Sequence, residues 1–177
     1  MTQLWRTQRP KADEYAEYYG RYIEHVPPGD VMQGLETQLA DTLALVRGMP
    51  ESRGEHRYAP GKWTIKEVLG HLADSERVFA YRLMRIARAD ATPLPGFEQD
   101  DYVRNGGFSG RTLADLAQEL DFVRRANLVL LASLGDEAMA LRGTASNHPV
   151  SARALVYIIA GHERHHVKIL RSRYLGG

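Results

Sequence analysis

The chain has no cysteine among its 177 residues. Disulfides, thiolate metal ligands and a cysteine nucleophile are therefore excluded, and any thiol chemistry must use a thiol supplied from outside. Long apolar runs are also missing. No stretch approaches the ~18 residues of a membrane span, and residues 1–30 lack the apolar core of a secretory leader. Neither sign of charge is in excess: 23 Lys+Arg against 22 Asp+Glu leave a formal net charge of +1, so no global field draws the protein to nucleic acid or anionic lipid. The expectation is a cytoplasmic protein without nucleic-acid or membrane partners. With 44% apolar residues, the chain reads as a single domain over residues 1–177, long enough to bury a core.

The most informative stretch is Gly161-His162-Glu163-Arg164-His165-His166, inside an apolar run from Ala154 to Tyr174. On a helix, Leu155, Ile158, Ile159, His162, His166, Ile169 and Leu170 share one narrow arc, while Arg164, Lys168 and Arg171 fall opposite. Two histidines thus sit in a core-facing stripe at i, i+4. Buried among isoleucines, their ring nitrogens need partners, and a metal ion supplies them. The competing reading is a pair of core histidines satisfied by side chains on neighbouring helices.

The remaining chain reads as helices and connections. Tyr15, Tyr18, Tyr19, Tyr22 and Ile23 recur at three and four over Asp13 to His25, which predicts an amphipathic helix whose aromatic stripe is packing surface. Pro27-Pro28-Gly29 breaks it, and Asp30 caps a helix to about Arg47. Residues 49–61 read as a loop. Thr64 and Glu67 have capping-box spacing, with Trp63 and Val68 as a hydrophobic staple, at the start of a helix to about Arg88 that carries His71 and Ser75 on the flank of its apolar arc. Asp90 to Gly110 lacks sustained periodicity and reads as an ordered loop. Thr112 starts another helix, with a seam from Leu113 to Leu134 that Asn127 interrupts, read as a buried amide specifying register. Residues 135–149 are connection, and Ser151 caps the last helix. With no convincing strand, the expected fold is all-α: a four-helix bundle with an additional N-terminal helix. His71 can meet His162 and His166 only if their helices are neighbours.

Trp63-Thr64-Ile65-Lys66-Glu67, His71-Leu72-Ala73-Asp74-Ser75-Glu76 and Gly161-His162 with His165-His166 together resemble the DinB/YfiT-like family. The Leu94-Pro95-Gly96-Phe97 loop and the tyrosine-rich N-terminal segment extend the likeness over nearly the whole chain. The resemblance implies a four-helix bundle, frequently a homodimer, with one divalent metal on three histidines matching His71, His162 and His166. His165, displaced about 80° from the centre of the arc, is expected to be a non-ligand. Three nitrogens suit zinc or nickel foremost, with iron or copper also compatible. Asp74, Glu76 and Glu67 are candidates to orient the rings, although ion pairs account for them as well.

Some members of the family transfer low-molecular-weight thiols such as bacillithiol or mycothiol, one branch isomerises maleylpyruvate with a thiol, and many have no assigned reaction. The resemblance therefore implies a metal-dependent transferase acting on a small-molecule thiol and an electrophile, with the 90–110 loop contributing to the pocket. Two alternatives stay open. His162-Glu163-Arg164-His165-His166 also satisfies H-E-x-x-H, the metalloprotease signature in which the glutamate activates water. However, only eleven residues follow His166, without a further histidine or glutamate, so a third ligand must come from upstream. The other alternative is a metal-binding bundle without turnover.

Overall fold

The computed structural model describes residues 3–176. After short 3-10 turns and the one-turn helix α1 (Gly20–Ile23), the chain runs through α2 (Val31–Arg47), α3 (Ile65–Ala87), the short α4 (Gln99–Asn105), α5 (Leu113–Ala132) and α6 (Asp136–Ala140). An antiparallel hairpin, β1 (Arg142–Ala145) and β2 (His148–Ser151), leads into α7 (Ala152–Ile169), which ends in a π-helical turn over Leu170–Tyr174. The four long helices form the bundle. α3 packs on α5 and α7, and α2 packs on the same two, so the order around the bundle is α2, α5, α3, α7, and α5 stands diagonally opposite α7. No helix among the described residues is long and apolar enough to cross a membrane.

Each long helix starts where a side chain satisfies its free N–H groups. The Asp30 carboxylate accepts from the N–H of Met32 and Gln33, Thr112 accepts from Asp115, and Ser151 from Ala154. At α3 the capping box is complete: Thr64 accepts from the Glu67 N–H while the Glu67 carboxylate accepts from the Thr64 N–H. Such caps each stabilise a helix by ~1 kcal/mol and fix its first residue.

The interior has two apolar clusters. One gathers Leu35, Phe79, Leu83, Leu131, Leu155 and Ile158 with Trp5 and Ile23; the other gathers Leu39, Leu43, Ile65, Leu69, Leu116, Leu120 and Leu170. On all four helices a polar position falls between the two: Gln38 on α2, Glu76 on α3, Arg124 on α5 and Glu163 on α7, all buried. Arg124, 0% exposed, crosses the bundle and holds this layer together. Its Nε and Nη2 donate to Glu76 Oε1 and Oε2 at 2.7 and 2.8 Å, Nη2 also to Glu163 Oε2 at 2.8 Å, and Nη1 to the Leu35 carbonyl at 3.1 Å.

Several expectations are corrected. The N-terminal helix expected over Asp13 to His25 is two 3-10 turns, Ala12–Glu14 and Glu17–Tyr19, followed by α1, because Tyr15 and Ala16 are extended. Glu14 is drawn inward by Ser151 and Arg153, which pins the chain there. The 90–110 loop contains α4, invisible to periodicity because only Val103 of its seven residues is buried. The 135–149 connection contains α6 and the hairpin. Ser146 and Asn147 turn it with φ of 51° and 64°, the left-handed pair a tight hairpin requires, without the Asn-Gly that advertises one. Leu94 exchanges backbone hydrogen bonds with Thr144 and Ser146, stitching the loop to the hairpin.

Candidate metal centre

His71 faces inward from the N-terminal third of α3, and His162 and His166 from the C-terminal half of α7. Because α3 and α7 are neighbours, the three rings converge: one nitrogen from each lies within 4.8 Å of the other two. His71 Nε2 and His162 Nε2 are 3.1 Å apart. Two nitrogens held ~2.1 Å from one ion at a tetrahedral angle stand roughly 3.4 Å apart, so the donor set fits a single metal with small rotamer adjustments. The Ser75 hydroxyl lies 3.3 Å from His71 Nδ1. It is also 3.5 Å from Nε2; in the tautomer protonated at Nδ1 it accepts a hydrogen bond there, which leaves Nε2 for an ion. Trp63 packs against His71 and stacks on His166, with interplanar angles of 51° and 16°.

The rings are held neutral. Burial pushes the His71 imidazole down to about 4. Burial first, then repulsion from neighbouring imidazoles, holds His162 and His166 well below the usual histidine range. A histidine ligates only in its neutral form, so this environment keeps three donors ready at neutral pH.

One side of His71 and His162 opens on a cavity of about 220 Å³ whose wall includes Tyr18, Tyr19, Tyr22, Phe79, Phe97 and Glu98. The tyrosine stripe, expected to be packing surface, does both: Tyr15, Tyr19 and Ile23 pack on the core, while Tyr18, Tyr19 and Tyr22 line the cavity. Tyr22 stands edge-on to His162 with ring centroids 5.2 Å apart. Its hydroxyl accepts from Arg21 at 2.9 Å and meets the Tyr18 hydroxyl at 3.2 Å. Burial raises the Tyr22 phenol above its ordinary range, so it stays protonated. Gly161 allows this approach: a Cβ there would fall on the Tyr22 carbonyl.

Other singled-out residues go elsewhere. His165 stacks on His25 and lies outside the three-histidine group. Of the two readings open for Glu67, Asp74 and Glu76, the ion pair holds for each: Glu67 pairs with Arg57, Asp74 with Arg77, and Glu76 with Arg124. Ser75 stands beside the His71 ring instead, which its position one turn beyond His71 on the helix flank could have indicated. Asn127 serves Glu76, donating to Oε1 at 3.1 Å. Glu163, the glutamate of H-E-x-x-H, belongs to the polar layer. It accepts from Thr42 at 2.7 Å, from Arg124 and from Gln38, so its lone pairs are committed away from the histidines.

A four-helix bundle whose adjacent helices bring three neutral imidazoles to the edge of an aromatic cavity defines a bundle protein with a candidate metal site. The chain belongs to the DinB superfamily, whose family model matches residues 34–170. Its fold is similar to that of YfiT from Bacillus subtilis, with a TM-score of 0.66 over 93% of each chain at 17% identity. YfiT is described as "a probable metal-dependent hydrolase with an unusual four-helix bundle topology". No curated protein matches the chain.

Proposed function

We propose that His71, His162 and His166 bind one divalent transition metal, zinc or nickel foremost, and that this centre serves the transfer of an external small-molecule thiol to an electrophile. The observation that carries the reading is the convergence of three neutral imidazoles beside a cavity they do not fill. A bound ion would supply positive charge and an open coordination position, which lowers the pKa of a thiol or water beside it. The chain's own groups then position and enclose. Ser75 lies beside the His71 ring as a hydrogen-bond partner. Phe79 and Phe97 exclude water, and the Tyr22 hydroxyl, held by Arg21 and Tyr18, stays protonated in the wall. Phe97 and Glu98 come from the 90–110 segment, so that segment contributes to the pocket. With no cysteine in the chain, the thiol must enter as a co-substrate. In the balanced reaction, the thiol sulfur forms a bond to the electrophilic carbon, the leaving group departs with its electron pair, and the thiol proton goes to that group or to solvent.

Hydrolysis is the second reading, favoured by the description of YfiT. The commitment of Glu163 to Arg124 and Thr42 weighs against its H-E-x-x-H form, so a hydrolase here would use a different base. Incubating the metal-loaded protein with a thiol panel and an electrophilic acceptor, and separately with ester and peptide substrates, decides between them. Thiol consumption that requires metal and disappears in His71→Ala supports transfer; thiol-independent cleavage with the same dependence assigns hydrolysis. A homodimer remains the proposed assembly on the resemblance alone, since the tyrosine stripe faces the cavity. A monomeric mass by light scattering removes it.

A further inference from the structure

Arg164, Lys168 and Arg171, at i, i+4 and i+7 on the outer face of α7 and its continuation, do not simply point into solvent. They line a groove of about 480 Å³ against α2, with Gln38 and Thr42 among its lining residues and Asp41 opposite. None of the three forms a salt bridge among the described residues. Two of its lining residues carry unmet buried polar atoms. Gln38 is 6% exposed, and its Nε2 donates to the Ala160 carbonyl and to Glu163. Those partners are both acceptors, so the amide orientation is fixed and Oε1 is a buried acceptor without a donor. Arg164 Nε is a buried donor without an acceptor. Such orphaned groups cost stability unless something binds them.

We propose that this groove is a second ligand site, separate from the three histidines, for a small phosphomonoester with a hydroxylated body. The chemistry follows from the lining. Three unpaired cations along one helix face match a dianionic phosphate, and the Arg164 Nε–H meets one of its oxygens with a charge-assisted bond. Gln38 Oε1 and the Asp41 carboxylate are acceptors with no hydrogen bond or salt bridge among the described residues, suited to the ligand's hydroxyl groups.

The test is calorimetric titration of the full-length protein with glycerol 3-phosphate, with inorganic phosphate and glycerol as controls and phosphatidic-acid vesicles as the lipid arm. The isotope-labelled side-chain amide of Gln38 is followed by NMR in parallel. Saturable glycerol 3-phosphate binding is expected, tighter than inorganic phosphate and accompanied by a shift of the Gln38 amide, with none for glycerol. Arg164→Met, which keeps the apolar stem of the side chain, should weaken it roughly tenfold or more. Arg171→Met, at an exposed position that does not threaten folding, should weaken it several-fold. His71→Ala should leave it intact, because the ligand does not use the histidines. No saturable binding, or affinity unchanged in both arginine variants, overturns the proposal. Loss in His71→Ala would place the anion at the histidines, and binding to vesicles alone would make the face a membrane contact; either also overturns it.

Discussion

Arg124→Met removes the only cation from a layer that keeps two buried carboxylates. In the folded protein Arg124 neutralises Glu76 and Glu163, which are 4% and 2% exposed, and it also satisfies the Leu35 carbonyl. Methionine fills much of the volume, so the transfer and cavity contribution is small. The cost comes from leaving two carboxylates without their counter-charge, for which removing one member of a buried ion pair typically costs ~3–5 kcal/mol. Against a total stability of roughly 5–15 kcal/mol for such a domain, that is a third or more of the whole. The sign with pH is also fixed. Burial without a counter-charge disfavours the ionised form of any carboxylate, so the penalty is full at neutral pH and shrinks as pH falls toward the carboxylate range. Urea denaturation of metal-free protein at pH 7.5 and 5.0 should show a gap between wild type and Arg124→Met that narrows at the lower pH. Adding Glu163→Gln to Arg124→Met should recover part of the loss at pH 7.5, since one buried charge is gone. A gap under about 1 kcal/mol at pH 7.5, or no recovery in the double variant, would refute the reasoning.

The metal-free wild type should itself lose stability below pH ~6.5, because unfolded histidines take protons there that the buried rings refuse. For His71, with its imidazole near 4, the loss is complete only near that value and amounts to roughly 3 kcal/mol; denaturation across pH 7.5 to 5 should show a shallower slope in His71→Gln, and equal slopes would contradict the assignment. Gly161→Ala gains ~1 kcal/mol of helix propensity but drives a Cβ into the Tyr22 carbonyl, so net destabilisation of about 1–3 kcal/mol is expected. A melting temperature at or above wild type would show that α1 moves away freely.

Much of this was legible in the sequence, and the gaps have physical causes. The helix starts at Asp30, Thr64, Thr112 and Ser151 were readable because capping is local chemistry between residues three apart. The convergence of His71 with His162 and His166 was legible only as a condition on helix adjacency. That is a tertiary property, which the packing of α3 on α7 supplies. The H-E-x-x-H match could not be judged from the motif alone, which does not say which way its glutamate turns: 100° from His162 on the helix, Glu163 meets Arg124, whose partners lie 39 and 48 positions away in the chain. Glu76 meets both Asn127 and Arg124 in the same layer, partners that spacing along one helix does not reveal. The hairpin at Ser146-Asn147 escaped because each strand is four residues long, too short for alternation to show. The tyrosine stripe had the right spacing, but nothing in it distinguishes a core face from the wall of a cavity.

The central claim is tested most directly by elemental analysis of metal per chain in wild type and single-histidine variants, each first stripped with chelator, reloaded with zinc or nickel, and checked for helicity. One equivalent in wild type, retained in His165→Ala and lost in His71→Ala, His162→Ala and His166→Ala while each stays folded, is the predicted result. Retention of a full equivalent in folded His71→Ala, or its loss in His165→Ala, would contradict the three-histidine centre.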